Sequence, residues 1–173
     1  MKLLNIASTL TAIAMLSAPS TIAAAEMAKA MLKDANGRDA GSVSFTQTPA
    51  GVLLQLSLTG APAGEHAFHI HAAGKCEPPK FESAGGHFNP GNAHHGILSG
   101  PGHAGDMPNL HVPSSGGLDL EVLNIAVTLD KDKPNSLFPP GGTAIVIHAG
   151  KDDYASDPAG KAGDRIICGV IGE

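Results

Sequence analysis

The chain contains no tryptophan and a single tyrosine, and aromatic residues make up 3% of its 173 positions. Charge is also scarce, at 16% of residues, and leans acidic: 11 Lys and Arg stand against 16 Asp and Glu, for a net charge of −5. No basic run interleaved with aromatics occurs, which argues against a nucleic-acid partner. Long helical stretches are missing as well, because 22 glycines and 13 prolines punctuate the sequence and both residue types weaken helix interiors. The hydrophobic share of 42% argues against disorder, and the length allows one packed core. Against these shortages stands one excess. Nine histidines accompany that lone tyrosine, and imidazole is the commonest protein metal ligand.

The first residues read as an export signal. Met1-Lys2 is a short basic start, residues 3–16 are mostly apolar, and Ala23-Ala24-Ala25 offers the small side chains that signal peptidase accepts. Cleavage is expected after Ala25, leaving residues 26–173 as one domain. Asn5, Ser8, Thr9 and Thr11 interrupt the apolar stretch, which is too short to span a bilayer comfortably, so no membrane anchor is expected. An exported chain meets an oxidising compartment, the periplasm or the exterior. Cys76 and Cys168 are therefore expected to form a disulfide. The chain-entropy model assigns such a long closed loop roughly 4 to 5 kcal/mol.

Short apolar alternations recur between Gly- and Pro-rich turns at 27–33, 41–48, 52–58, 65–71, 118–129, 143–149 and 165–171. Leu54, Leu56 and Leu58 share one strand face while Gln55 and Ser57 share the other. Asn36-Gly37 suits a tight hairpin turn. The pattern predicts an all-β, antiparallel sandwich or barrel without a second domain. Residues 72–113 form a long stretch that something must order, since structureless loops of that length are uncommon in compact domains.

The histidines concentrate around this stretch. In Glu65-His66-Ala67-Phe68-His69-Ile70-His71, strand parity puts His69 and His71 on one face and His66, Phe68 and Ile70 on the other. Two imidazoles can then reach one metal, and His66 is left as a hydrogen-bonded packing residue. His148, at the end of Ala144-Ile145-Val146-Ile147-His148, offers a third ligand from another strand. The long stretch adds His87, His94, His95, His103 and Asp106. Three imidazoles and a carboxylate make a closed set suited to structural zinc. Imidazoles without a carboxylate suit copper in the other group. His94 and His95, being neighbours, cannot both point to one metal.

The strings His69-Ile70-His71, Gly86-His87-Phe88-Asn89-Pro90, His103-Ala104-Gly105-Asp106, Val146-Ile147-His148 and Arg165-Ile166-Ile167-Cys168-Gly169-Val170-Ile171-Gly172 resemble the copper/zinc superoxide dismutases in order and context. The long insert and Asp106-Met107-Pro108-Asn109-Leu110-His111 look like the exported bacterial branch. This resemblance implies an eight-stranded Greek-key barrel or sandwich. It implies copper on His69, His71, His87 and His148, and zinc on His87, His95, His103 and Asp106, with His87 as the bridge. His95 rather than His94 fits the family's spacing. Asp152 matches a carboxylate linking a copper histidine to a zinc histidine, and Arg165 matches the residue that receives the anionic substrate. His111 matches no ligand.

The implied activity is dismutation of superoxide to dioxygen and hydrogen peroxide, with His87 and Arg165 as the catalytic protein groups. Lys151 and Lys75 are weaker candidates for attracting the anion. A non-catalytic copper- or zinc-buffering protein would need the ligands but not Arg165. A zinc hydrolase would need an open zinc site, which the closed ligand set opposes. The insert around Cys76 puts the family's usual dimer contacts in doubt, so a homodimer is one option and the oligomeric state stays open.

Overall fold

In a computed structural model describing residues 26–98 and 100–173, apolar side chains turn inward at every second position of the first strands. Strand β1 (Met27–Asp34) buries Ala28, Ala30 and Leu32, and β2 (Asp39–Thr48) buries Val43 and Phe45. Strand β3 (Gly51–Leu58) buries Val52, Leu54, Leu56 and Leu58. Such period-two burial needs a sheet with one face on the core. The chain continues through β4 (Gly64–His66), β5 (Phe68–His71), a 3-10 turn at Glu82–Ala84, β6 (Leu110–Val112), β7 (Leu118–Asn124), β8 (Ala144–His148) and β9 (Arg165–Gly172). The expected export signal at residues 1–25 lies outside the described residues.

Seven strands form one antiparallel sheet in the order β5-β8-β9-β1-β2-β3-β7, and β4 pairs with β6. The connections from β3 to β5 and from β7 to β8 cross from one side of the sheet to the other, as Greek-key folds do. The inner face holds one large core that includes Phe45, Phe68, Ile70, Ile145, Ile147 and Ile167. Ala144, Val146 and Cys168 on the outer face pack with Phe81 and Ala84 in a second, smaller cluster.

Three expectations need correction. The strand expected at 65–71 breaks at Ala67, whose N–H donates to Gly150 O and whose carbonyl accepts from His148 N–H. The two pieces join different sheets, β4 pairing with β6 and β5 with β8. The strand expected at 118–129 stops at Asn124, whose Oδ1 accepts the Ala126 N–H and whose Nδ2 donates to Ala104 O. Beyond it, Thr128 Oγ1 and the Leu129 N–H donate to Gln47 Oε1, so the segment is satisfied without a ladder. Finally, β6 lies inside the stretch read as loop. Three residues are too few for a periodic signal.

Candidate metal centre

The alternation that buries Phe68 and Ile70 sends His69 and His71 to the other face of β5. There they pair across the ladder with Val146 and Ala144, so the imidazoles stand on the outer face that carries His148. The long stretch is fastened beside them along the edge of β5. Ala72 N–H donates to Gly86 O, Phe88 N–H to Ile70 O, Ile70 N–H to Gly105 O and Gly105 N–H to Phe88 O. These bonds set His87 opposite His71 and Asp106 opposite His69. Gly105 is obligatory here, because a Cβ would collide with the Ile70 carbonyl.

Among the described residues two groups of side chains result, His69, His71, His87 and His148, and His87, His95, His103 and Asp106. Within each group the candidate ligand atoms lie within 4.8 Å of one another, and His87 belongs to both. The hydrogen bonds fix which nitrogen of three of these rings is left with a lone pair. His71 Nδ1 donates to Gly85 O at 2.9 Å and His148 Nδ1 to Gly163 O at 3.1 Å. A carbonyl only accepts, so both Nε2 atoms carry lone pairs, and they face each other at 3.4 Å. Two lone pairs at that distance repel unless a cation lies between them. His69 Nε2 donates to Asp152 Oδ2 at 2.8 Å, which leaves its lone pair on Nδ1.

His69 Nδ1, His87 Nε2 and His103 Nδ1 are buried without a hydrogen-bond partner among the described residues. Leaving such an atom unsatisfied costs about 1–3 kcal/mol, and several cluster here. A metal ion fits both groups. Four imidazoles suit copper, and three imidazoles with a carboxylate suit zinc.

The electrostatics favour the deprotonated ligand forms. Burial pushes His71 well below the ordinary histidine range. Burial and the neighbouring His69 bring His148 down to about 3. Burial alone would raise Asp152, but hydrogen bonds from His69, His95 and the Tyr154 backbone outweigh it and hold the group at about 2. Burial likewise opposes ionisation of Asp106, and hydrogen bonds from His87 and the Gly96 and His103 backbones keep it well below the usual carboxylate range.

Asp152 spans the two groups, accepting from His69 Nε2 through Oδ2 and from His95 Nε2 through Oδ1 at 3.0 Å. His95 also sits 3.1 Å from Asp106 through Nδ1. His94 points away, with 92% of its side chain exposed and Asp157 as partner. His66 is buried, bonded to His148 O and Pro62 O. His111 is exposed beside Glu65. Lys151 pairs with that same carboxylate at 3.2 Å, which offsets its charge, while Lys75 is exposed. Cys76 and Cys168 are bonded.

Arg165 reaches the histidine face through a bulge. Strict alternation from Cys168 would turn Arg165 to the inner side, but the β8/β9 register shifts after Ile147 and sets Arg165 opposite His148. Its Nη1 donates to Phe81 O at 2.7 Å and its Nη2 to Gly85 O at 2.6 Å. Gly85 O thus serves both Arg165 and His71, and no side-chain pattern advertises a carbonyl. Asn109, Tyr154 and Asp157, which brace this region, also escape sequence reading, since none has ligand spacing.

The model of the family described as copper/zinc superoxide dismutase (SODC) matches residues 39–171. Superoxide dismutase (Cu-Zn) 1 of Aquifex aeolicus is 56% identical over 137 residues, which is 78% of this chain and 81% of that protein. The superoxide dismutase (Cu-Zn) of Escherichia coli K12 is 37% identical over 146 residues, 78% of this chain and 80% of its own length. Among solved structures, a SOD-like protein from Bacillus subtilis superposes with a TM-score of 0.79 at 34% identity, covering 82% of this chain and 96% of that one. Cu/Zn superoxide dismutase from Brucella abortus gives 0.70 at 27% identity, covering 84% and 99%. With its fold and two joined donor groups, the chain belongs to the copper/zinc superoxide dismutase family.

Proposed function

We propose that the protein dismutates superoxide, with copper held by His69, His71, His87 and His148 and zinc by His87, His95, His103 and Asp106. The observation that carries this reading is the sharing of His87 by both donor groups. Bound copper supplies alternating one-electron oxidation and reduction, and bound zinc supplies a fixed positive charge. Two superoxide ions and two protons become one dioxygen and one hydrogen peroxide, so the protein must attract an anion and manage protons.

Arg165 attracts and orients the anion. Its guanidinium is tethered to two carbonyls beside His71 and His148 and needs no rearrangement to act. His87 manages the proton at Nε2, with its other nitrogen directed at Asp106 Oδ1 at 2.8 Å. A ring held from one side keeps its orientation while Nε2 takes up a proton and passes it to the reduced oxygen species. Residues 1–25 serve as a cleaved export signal, residues 26–173 form the working domain, and the periplasm is its compartment. The disulfide agrees with an oxidising location.

Metal analysis alongside a superoxide-consumption assay tests this reading. The purified protein should carry one copper and one zinc and consume superoxide. His148→Ala should lose copper and most activity, because His148 completes the copper set from a neighbouring strand that is remote in sequence. Full activity with retained copper in that variant would refute the ligand assignment.

A further inference from the structure

Asp152 links His69 to His95 only if its two oxygens point in opposite directions, and it sits in irregular chain after β8. No ladder register holds it there. One side chain does so instead. The Asp152 N–H donates to Asn109 Oδ1 at 2.8 Å, and Asn109 Nδ2 donates to the Asp152 carbonyl at 3.0 Å. A single amide thus satisfies both backbone groups of Asp152 in the only orientation their chemistry allows.

Asn109 is itself fixed. Its backbone N–H donates to Tyr154 Oη at 2.6 Å, and the Tyr154 N–H donates back to Asp152 Oδ1 at 2.6 Å. The three residues close a ring of hydrogen bonds. Tyr154 takes part with φ at 60°, a left-handed backbone that aromatic residues rarely adopt and that persists only where surroundings impose it. On the far side Gly160, with φ at 63°, fits against the carboxylate, and a Cβ there would collide with Asp152 Oδ1. The carboxylate is buried, with its oxygens bonded to His69, His95 and the Tyr154 N–H and with Gly160 against Oδ1.

We propose that Asn109, held by Tyr154, is a positioning residue that sets the direction of the Asp152 carboxylate and through it the metal affinity of His95 and His69. The inference rests on the reading of Asp152 as the link between the copper and zinc ligands. Asn109 acts by keeping the shared acceptor of the two histidines in place. A ligand imidazole whose second nitrogen donates to a fixed carboxylate is oriented and made more basic, and losing such support costs about 10- to 100-fold in metal affinity.

The test uses the full chain as wild type, Asn109→Ala, Asn109→Asp and Tyr154→Phe. Zinc affinity is measured by chelator competition, the visible absorption band is recorded after copper loading, and the unfolding midpoint is taken without metal. In Asn109→Ala the zinc dissociation constant should rise about 10- to 100-fold and the copper band should move. Asn109→Asp should not rescue it, because it sets an oxygen against the Asp152 carbonyl. Tyr154→Phe should shift both readouts the same way by less. A lower metal-free midpoint with wild-type zinc affinity and copper band would overturn the proposal and leave Asn109 a structural residue. If Asn109→Ala does not fold, Tyr154→Phe decides alone, and an unchanged zinc constant there overturns the idea. A wild-type protein that takes up neither metal refutes the reading of the metal centre itself, a result distinct from the others.

Discussion

At the scale of single residues, the centre is governed by which atom of each side chain is already committed. Carbonyls take one nitrogen of His71 and His148, and a carboxylate takes one of His69, so the remaining nitrogens converge. Asp106 is the sole carboxylate of its group. Asp106→Ala should weaken zinc binding and lower the melting temperature of the zinc-supplied protein, while copper still binds. Differential scanning at fixed zinc checks this, and losing an ion present at about 100 times its dissociation constant removes about 2.7 kcal/mol. Proton competition gives a second prediction. His148 is held at about 3 in the folded chain, whereas an unfolded histidine titrates at about 6.5. Between those values the unfolded state binds more protons, so the metal-free protein should lose stability as pH falls below about 6.5 and gain none above it. At pH 5 the loss for His148 alone is about 2 kcal/mol, readable as a lower denaturant midpoint.

At the scale of elements, the controlling feature is the edge of β5, where the long stretch replaces a neighbouring strand. Backbone bonds from Ala72, Phe88 and Gly105 carry the ligands to within reach of the sheet. The bond between Cys76 and Cys168, 92 residues apart, ties the start of that stretch to β9. Phe81 O and Gly85 O, which hold Arg165, lie within the tied part. Replacing both cysteines by alanine should therefore lower unfolding free energy by about 2–5 kcal/mol. It should also reduce the catalytic rate of fully copper-loaded protein, since Arg165 loses its fixed carbonyls. Denaturant titration and a rate measured at equal copper content check the two effects.

At the scale of the whole molecule, an acidic protein must admit an anion. The net charge is −5, and removal of the proposed export signal would take Lys2 with it and make the charge one unit more negative. Lys151 is paired with Glu65, and in the proposed function the attraction is assigned mainly to Arg165. Its field is screened beyond about 10 Å at 0.1 M salt. The second-order rate should accordingly fall as ionic strength rises. Arg165→Glu should lower the rate, reverse the salt trend and leave copper content unchanged. Wild-type rate and salt dependence in that variant would place the steering elsewhere.

The sequence by itself determined the all-β class, the inward and outward parity of β3 and β5, and the candidate ligand set. Those rest on period-two alternation and on residue types whose chemistry is local. Leu54 had to share a face with Leu56, and His69 with His71, whatever lay around them. The family resemblance already favoured His95 over His94, but the physical reason lies in the tertiary structure: both neighbours carry the same imidazole, and only packing against Asp106 and Asp152 separates them. Only the tertiary structure decided the break at Ala67, the end of β7 at Asn124, and the bulge that brings Arg165 beside His148. Each depends on hydrogen bonds between residues far apart in the chain, which no local pattern encodes. The same holds for the ring of Asn109, Tyr154 and Asp152, whose members are ordinary loop residues until the fold sets them against one another.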